Sequence, residues 1–216
     1  MIDRIEQGRV AVAGIMTRLY ARGLTTTSGG NVSLRCGEDR VLITAAAADK
    51  GTLTAAQVAV IGLDGKNHTP KLKPSSETAM HLEILRRHPR VQAVVHAHPA
   101  AASTFCVVEQ KLDCRLVAEA YALVGEPAFA PYALTGTDDL AREVAGCIGP
   151  QTACVLMENH GVLAVGASLL EAFDRLEVLE NVARITIFAA VMGGGRAMTA
   201  ERCRALDALM GRGALS

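Results

Sequence analysis

The chain has 216 residues, enough for one globular domain or at most two small ones with a sizeable core. Half of the residues are hydrophobic, yet only 3% are aromatic and Trp is absent, so Ala, Val and Leu must fill most of the interior. Twenty-two basic residues balance 22 acidic ones, which argues against a nucleic-acid or anionic-membrane partner held by bulk charge, and no stretch nears the ~18 unbroken apolar residues of a membrane span.

From the N-terminus, Met1 to Glu6 shows no apolar run behind a basic stretch, so no signal peptide is expected. The cysteines, Cys36, Cys106, Cys114, Cys147, Cys154 and Cys203, form no C-x-x-C pair and read as reduced thiols of a cytoplasmic protein. Apolar side chains at Ile5, Val12, Ile15, Met16, Leu19 and Tyr20 predict a helix over 5–22, stopped by Gly23. A polar, glycine-bearing turn, Thr25 to Asn31, follows. Val32–Arg35 and Val41–Thr44 predict a hairpin around Cys36-Gly37-Glu38-Asp39, and Val58–Leu63 a further strand ended by Asp64-Gly65. Beyond Pro74 the pattern predicts a helix from Ser76 to His88, with Ala79, Met80, Leu82 and Leu85 inward. A strand ending at His96 and a short helix opened by Pro99 come next. An amphipathic helix spans 138–148, a strand Ala153–Met157, a turn Glu158-Asn159-His160-Gly161, a strand Val162–Val165, and a long helix about 168–192. With no repeat and no linker, one domain over 1–216 is expected. The early hairpin requires antiparallel pairing, so the fold class is α+β, a central, mainly antiparallel sheet with helices on both faces in three α/β/α layers.

The chemistry begins at His96 and His98, which end the apolar run Val91-Gln92-Ala93-Val94-Val95 just before Pro99. On a strand, side chains two apart share a face and their alpha carbons lie ~6.5 Å from each other, a span two imidazoles can close around one ion. His160, in a tight turn beside Gly161, is the best third ligand. Three neutral imidazoles leave a coordination position open, as in catalytic zinc sites; the plain alternative is ordinary buried or surface histidines. His68, His81 and His88 read as surface residues of a loop and a helix. Ser75 and Ser76 at a helix start, with free backbone N–H groups, suit an anion, and Glu77 beside them is a possible ligand or general base; simple capping would explain the same residues. Ser28-Gly29-Gly30-Asn31 could cradle a phosphate or only connect a helix to a strand. Lys71 and Lys73 read as solvated surface.

Taken together, Ser28-Gly29-Gly30-Asn31-Val32-Ser33, Lys73-Pro74-Ser75-Ser76-Glu77-Thr78, Val94-Val95-His96-Ala97-His98-Pro99 and Glu158-Asn159-His160-Gly161-Val162 resemble the class II aldolase/adducin family over roughly residues 5–192. The resemblance implies zinc on His96, His98 and His160, with Glu77 as resting ligand and proton-abstracting base. It implies phosphate binding by Ser28, Gly30, Asn31, Ser75 and Ser76. Glu77, where the family's epimerases carry Asp, leans toward carbon–carbon cleavage. The implied function is a zinc-dependent aldolase acting on a ketose phosphate through a metal-stabilised enediolate, similar to L-fuculose-phosphate aldolase. Alternatives on the same site are a keto-acid-phosphate decarboxylase, or a sugar-phosphate epimerase or dehydratase. A non-enzymatic module like adducin's head would not need four convergent ligands. Mn2+, Co2+ or Fe2+ could stand in for Zn2+. The family also implies a homotetramer with interface active sites. Two departures stand out. Where the family commonly has a Ser- or Thr-Gly pair, this chain has Ala45-Ala46-Ala47-Ala48, lacking both hydroxyl and glycine. The aldolases' C-terminal tyrosine is absent from Ala205–Ser216, leaving Tyr121 to match the interface tyrosine that handles a proton at the aldehyde oxygen.

Overall fold

A computed structural model describes residues 2–211; the expectations for Met1 and for the tail beyond Gly211 lie outside them. The chain runs α1 (Ile2–Ala21), β1 (Asn31–Arg35), β2 (Arg40–Thr44), β3 (Val58–Gly62), α2 (Thr78–Arg87), β4 (Ala93–Ala97), α3 (Ala100–Thr104), α4 (Ala118–Leu123), β5 (Ala128–Ala130), α5 (Asp138–Gly146), β6 (Cys154–Met157), β7 (Gly161–Gly166), α6 (Leu169–Val191) and α7 (Ala200–Leu209). Seven strands form one sheet in the order β3-β2-β1-β4-β7-β6-β5, and every pair is antiparallel except β5 with β6.

Both faces of the sheet are buried, and the side chains alternate between them with the period of the pleat. Leu42, Ala93, Val95, Ala97, Leu156, Val162 and Ala164 face a core shared with Met16 and Leu19 of α1 and Phe173, Leu176 and Leu179 of α6. Val41, Ile43, Val94, Val155, Leu163 and Val165 face the opposite core, shared with Met80, Ile84 and Leu85 of α2 and Leu140 and Val144 of α5. This is the expected three-layer α/β/α architecture with a mainly antiparallel sheet. No described helix is long and apolar enough to cross a membrane. All six cysteines are free.

Three elements, α4, β5 and α7, carry weak local signals and are absent from the pattern the sequence predicts. The helix of α2 also starts later than the Ser76 expected. Glu77 is its N-cap residue, with φ −98° and ψ 15°, and the preceding Ser75 Oγ accepts from the Glu77 N–H at 3.3 Å. This start lets the Glu77 carboxylate turn down toward the sheet instead of following the helix surface. The sheet order brings the beginning of β1, the end of β4 and the β6–β7 turn to one end, directly under the N-terminus of α2. Asn31 pairs with His96 across β1 and β4, and His96 with Leu163 across β4 and β7. His96 therefore shares its face with Val94, the face that α2 covers.

Candidate metal centre and active site

His96 lies on β4, His98 just beyond its end, and His160 in the turn that opens β7. The structure brings all three together, with ligand atoms within 4.8 Å of one another. His96 and His98 rings are 4.8 Å apart between centroids, as are His96 and His160. Two glycines permit this approach. A Cβ on Gly161 would stand 2.4 Å from His98 Cδ2, and one on Gly30, whose φ is +72°, would stand 2.6 Å from the His96 carbonyl.

His96 Nδ1 lies 2.9 Å from the Val162 carbonyl, which only accepts, so Nδ1 carries the proton and Nε2 presents its lone pair. That lone pair faces His98 Nε2 at 3.1 Å and Glu77 Oε2 at 3.2 Å. Glu77 Oε1 stands 3.0 Å from His160 Nε2 but out of hydrogen-bond alignment, and it is a buried oxygen with no hydrogen-bond partner. Electron-rich atoms from four side chains thus converge with few hydrogens between them. Such a donor set fits a divalent cation. Burial, then electrostatic interaction with the neighbouring His96 and His160 imidazoles, pushes the His98 imidazole down to about 4, which keeps it neutral and able to ligate. Burial alone would push the Glu77 carboxyl up. The electrostatic pull of His96 and contacts from His160, His96 and Asn31 outweigh it and hold the carboxyl well below the usual range.

Beneath Glu77 lies His81, a residue whose place in the sequence predicts surface exposure but which is fully buried. The difference has a physical reason: its partners, Ser33 and Asn31, are 48 and 50 residues away in the chain. The spacing Glu77–His81, one helical turn, is the available signal that both point to the same side. Asn31 Nδ2 donates to Glu77 Oε2 at 2.7 Å, so its Oδ1 must accept from His81 Nε2, at 2.5 Å. His81 Nδ1 then accepts from the Ser33 hydroxyl at 2.7 Å. Every hydrogen in this chain of contacts points toward the carboxylate. His88, also expected on the surface, is half-buried and bonds the Ala145 carbonyl at 2.9 Å.

His98, His160 and Glu77 open on a cavity of about 250 Å³ whose walls include Ser28, Gly30, Asn31, Ser75 and Ser76. Two further wall residues, Lys50 and Thr135, carry no motif that would single them out in the sequence. Ala46 and Ala47 line it too, and Ala47 takes up φ 54° without being glycine. Tyr121 is not brought here within one chain. It sits on α4, its hydroxyl donates to Asp207 Oδ2 at 2.8 Å, and that bond pushes its pKa up to about 12. A larger cavity, about 720 Å³, lies between the 105–112 segment and β5, away from the three imidazoles.

Three histidines with an adjacent carboxylate, at the end of a largely antiparallel sheet, form a site that could hold a divalent metal ion. Residues 10–187 match the family model "Class II Aldolase and Adducin N-terminal domain", and the chain belongs to that family. It is 36% identical over 167 residues to an L-fuculose phosphate aldolase of Methanococcus vannielii, covering 77% of this chain and 88% of the relative. It is 31% identical over 171 residues to a 3-oxo-tetronate 4-phosphate decarboxylase of Haemophilus influenzae, covering 77% of this chain and 80% of that one. Among solved structures, an L-fuculose 1-phosphate aldolase superposes with a TM-score of 0.86 at 25% identity, covering 95% of this chain and 96% of the other.

Proposed function

We propose that this protein is a zinc-dependent aldolase that makes or breaks a carbon–carbon bond in a ketose phosphate. The observation that carries the reading is the Glu77 carboxylate, held between His96 and His160 at the mouth of a hydroxyl- and amide-lined cavity. His96, His98 and His160, with Glu77 as displaceable fourth donor, would hold a divalent cation that would supply Lewis-acid polarisation of the substrate carbonyl, and three imidazoles suit Zn2+. The rest falls to the chain's own residues. Glu77 removes a proton from the bound donor in the condensing direction and returns it in cleavage. The Asn31 amide, fixed by His81, aims that carboxylate. Ser28, Gly30, Asn31, Ser75 and Ser76 hold the phosphate and so fix the reacting carbon near Glu77. Tyr121 serves the aldehyde oxygen of a neighbouring subunit's site, in a homotetramer whose active sites lie at subunit interfaces. Its work is in the cytoplasm.

The test is to incubate zinc-loaded protein with a panel of ketose phosphates and keto-acid phosphates while following triose and carbon dioxide release. Triose release that disappears in His96→Ala together with bound metal is expected; turnover retained in metal-stripped protein refutes the scheme. A second reading keeps the site and changes the leaving group. The Haemophilus influenzae relative is named a decarboxylase, and Ala46 and Ala47 depart from the aldolase pattern. Carbon dioxide and a triose phosphate released together from a keto-acid phosphate, with no aldehyde released from any ketose phosphate, would select it. Metal analysis of the purified protein separates both from a non-enzymatic module.

A further inference from the structure

Among the described residues, Lys50 is a buried lysine, only 3% exposed. It follows four alanines in the segment after β2, and that segment is stitched to both neighbouring walls of the cavity. Lys50 N–H donates to the Thr27 carbonyl at 3.0 Å, and Ala46 N–H donates to the Lys73 carbonyl at 2.9 Å. The side chain therefore has a fixed origin and one direction to go. Among the described residues its Nζ makes a single hydrogen bond, to the Ala45 carbonyl at 3.3 Å, although an ammonium carries three donors.

Burying an ammonium costs several kcal/mol unless an anion or a full set of acceptors meets it. Burial here lowers the Lys50 pKa, the expected sign for a charge removed from water. Neither nearby carboxylate answers it. Asp49 is exposed and spends its oxygens on the Gly51 N–H at 2.9 Å and the Thr52 hydroxyl at 3.1 Å. Glu77 is surrounded by His96, His160 and Asn31. Yet Lys50 lines the same cavity as Ser28, Ser75 and Ser76. Ser75 Oγ already accepts from Glu77 N–H, which leaves its own hydrogen free to donate.

We infer that Lys50 is the specificity-determining cation of this cavity, holding the substrate's phosphoryl group where Ala46 and Ala47 supply no hydroxyl. The inference rests on the sugar-phosphate reading above and adds a contact the Ser-Gly pattern does not contain. A tetrahedral dianion has enough oxygens to take the free Lys50 donors together with the serine hydroxyls, whereas a planar carboxylate has two.

The test is a phosphorus NMR or calorimetric titration of zinc-loaded protein with inorganic phosphate, and separately with acetate, for wild type, Lys50→Met and Lys50→Arg. Lys50→Met keeps the apolar stem and removes the charge, and Lys50→Gln serves the same arm if it does not fold. Phosphate affinity is expected to fall about tenfold or more in the neutral variant and by less than about threefold in Lys50→Arg, at unchanged metal content. Unchanged phosphate affinity in a folded Lys50→Met overturns the inference, as does acetate binding as tightly as phosphate to wild type. Failure of both neutral variants to fold would make Lys50 a structural cation and overturn it too. If no ketose phosphate is cleaved but phosphate binding still depends on Lys50, the functional reading falls and the anion site stands. If Lys50→Met cleaves a ketose phosphate at unchanged KM, the functional reading stands and the role given to Lys50 falls.

Discussion

His81 shows how a single buried side chain can govern a carboxylate it never touches. Because a carboxylate only accepts, the Asn31 amide must turn its nitrogen to Glu77, and the remaining oxygen then dictates the His81 tautomer. Replacing His81 by Ala strands the Ser33 hydroxyl and the Asn31 oxygen in the core, for a loss of about 2–4 kcal/mol in chemical denaturation. Turnover is expected to fall roughly 10–100-fold, as for other outer-shell partners of metal sites, with bound metal retained. A variant with wild-type kcat would show that Asn31 needs no such support. The same residue sets an acid limit. Burial, and secondarily electrostatic interaction with His96, push His81 down to about 3 from an ordinary 6.5. The unfolded chain therefore binds a proton below pH ~6.5 that the native state refuses until about pH 3. Stability is fully present above that window and is lost as pH falls through it. Denaturation midpoints followed from pH 7 to 4 should drop less steeply in a folded His81→Gln protein. Little of this is legible in the sequence. The four motif segments carry the metal residues because spacing alone aligns His96 with His98. A polar residue on an apolar helix face, by contrast, is ambiguous until its distant partners are known.

At the level of elements, the strongly periodic pieces are legible and the short ones are not. The hairpin of β1 and β2, the strand β3 and the long helices α1 and α6 carry clear alternation or helical spacing. β5 has three residues on the sheet edge, α4 has six with Ala at half of them, and α7 buries only Cys203, so none projects a pattern. The start of α2 is displaced by two residues because Ser75, not Ser76, makes the first turn's contact. The small helix α3 illustrates support from outside the local sequence. Its N-cap residue, Pro99, has no side chain to cap with, and Glu180 of α6 takes the Ala101 and Ala102 N–H groups instead, at 3.3 and 2.8 Å. A buried carboxylate facing a helix N-terminus is favoured by the exposed donors there. Glu180→Ala should cost about 2–3 kcal/mol, read from a thermal or denaturant transition, because two buried N–H groups lose a charged acceptor. Since α3 begins two residues after His98, the variant should also bind zinc more weakly than wild type. Gly161→Ala tests that second effect more directly, although its Cβ would also press on the Ala97 carbonyl at 2.9 Å. Its Cβ would fall 2.4 Å from His98 Cδ2, so the ring must move, and zinc affinity in a metal-buffer titration should drop about tenfold or more. Undiminished affinity would mean the turn yields instead of the ring.

For the molecule as a whole, the proposed metal centre would be a crosslink as much as a reaction site. Its proposed donors come from the start of α2, the end of β4 and the β6–β7 turn, so an ion held by them would tie residue 77 to residue 160. The two cores lie on either side of the sheet, with α2 on one face and α3 and α6 on the other. An ion bound there interacts with the native arrangement and has no comparable site in an unfolded chain, where the three histidines are dispersed. Mass action then adds stability in proportion to the logarithm of free metal over its Kd. With zinc buffered a thousandfold above Kd, the gain is about 4 kcal/mol, which for a chain of this size corresponds to roughly 8–16 °C in the melting midpoint. Chelated and zinc-loaded samples compared by scanning calorimetry should differ by that amount, and the difference should vanish in His96→Ala, whose midpoint would sit near that of the chelated wild type. A chelator that leaves the wild-type midpoint in place would mean that these imidazoles converge without holding an ion, and the three segments would then be joined by the sheet and the Glu77 contacts alone.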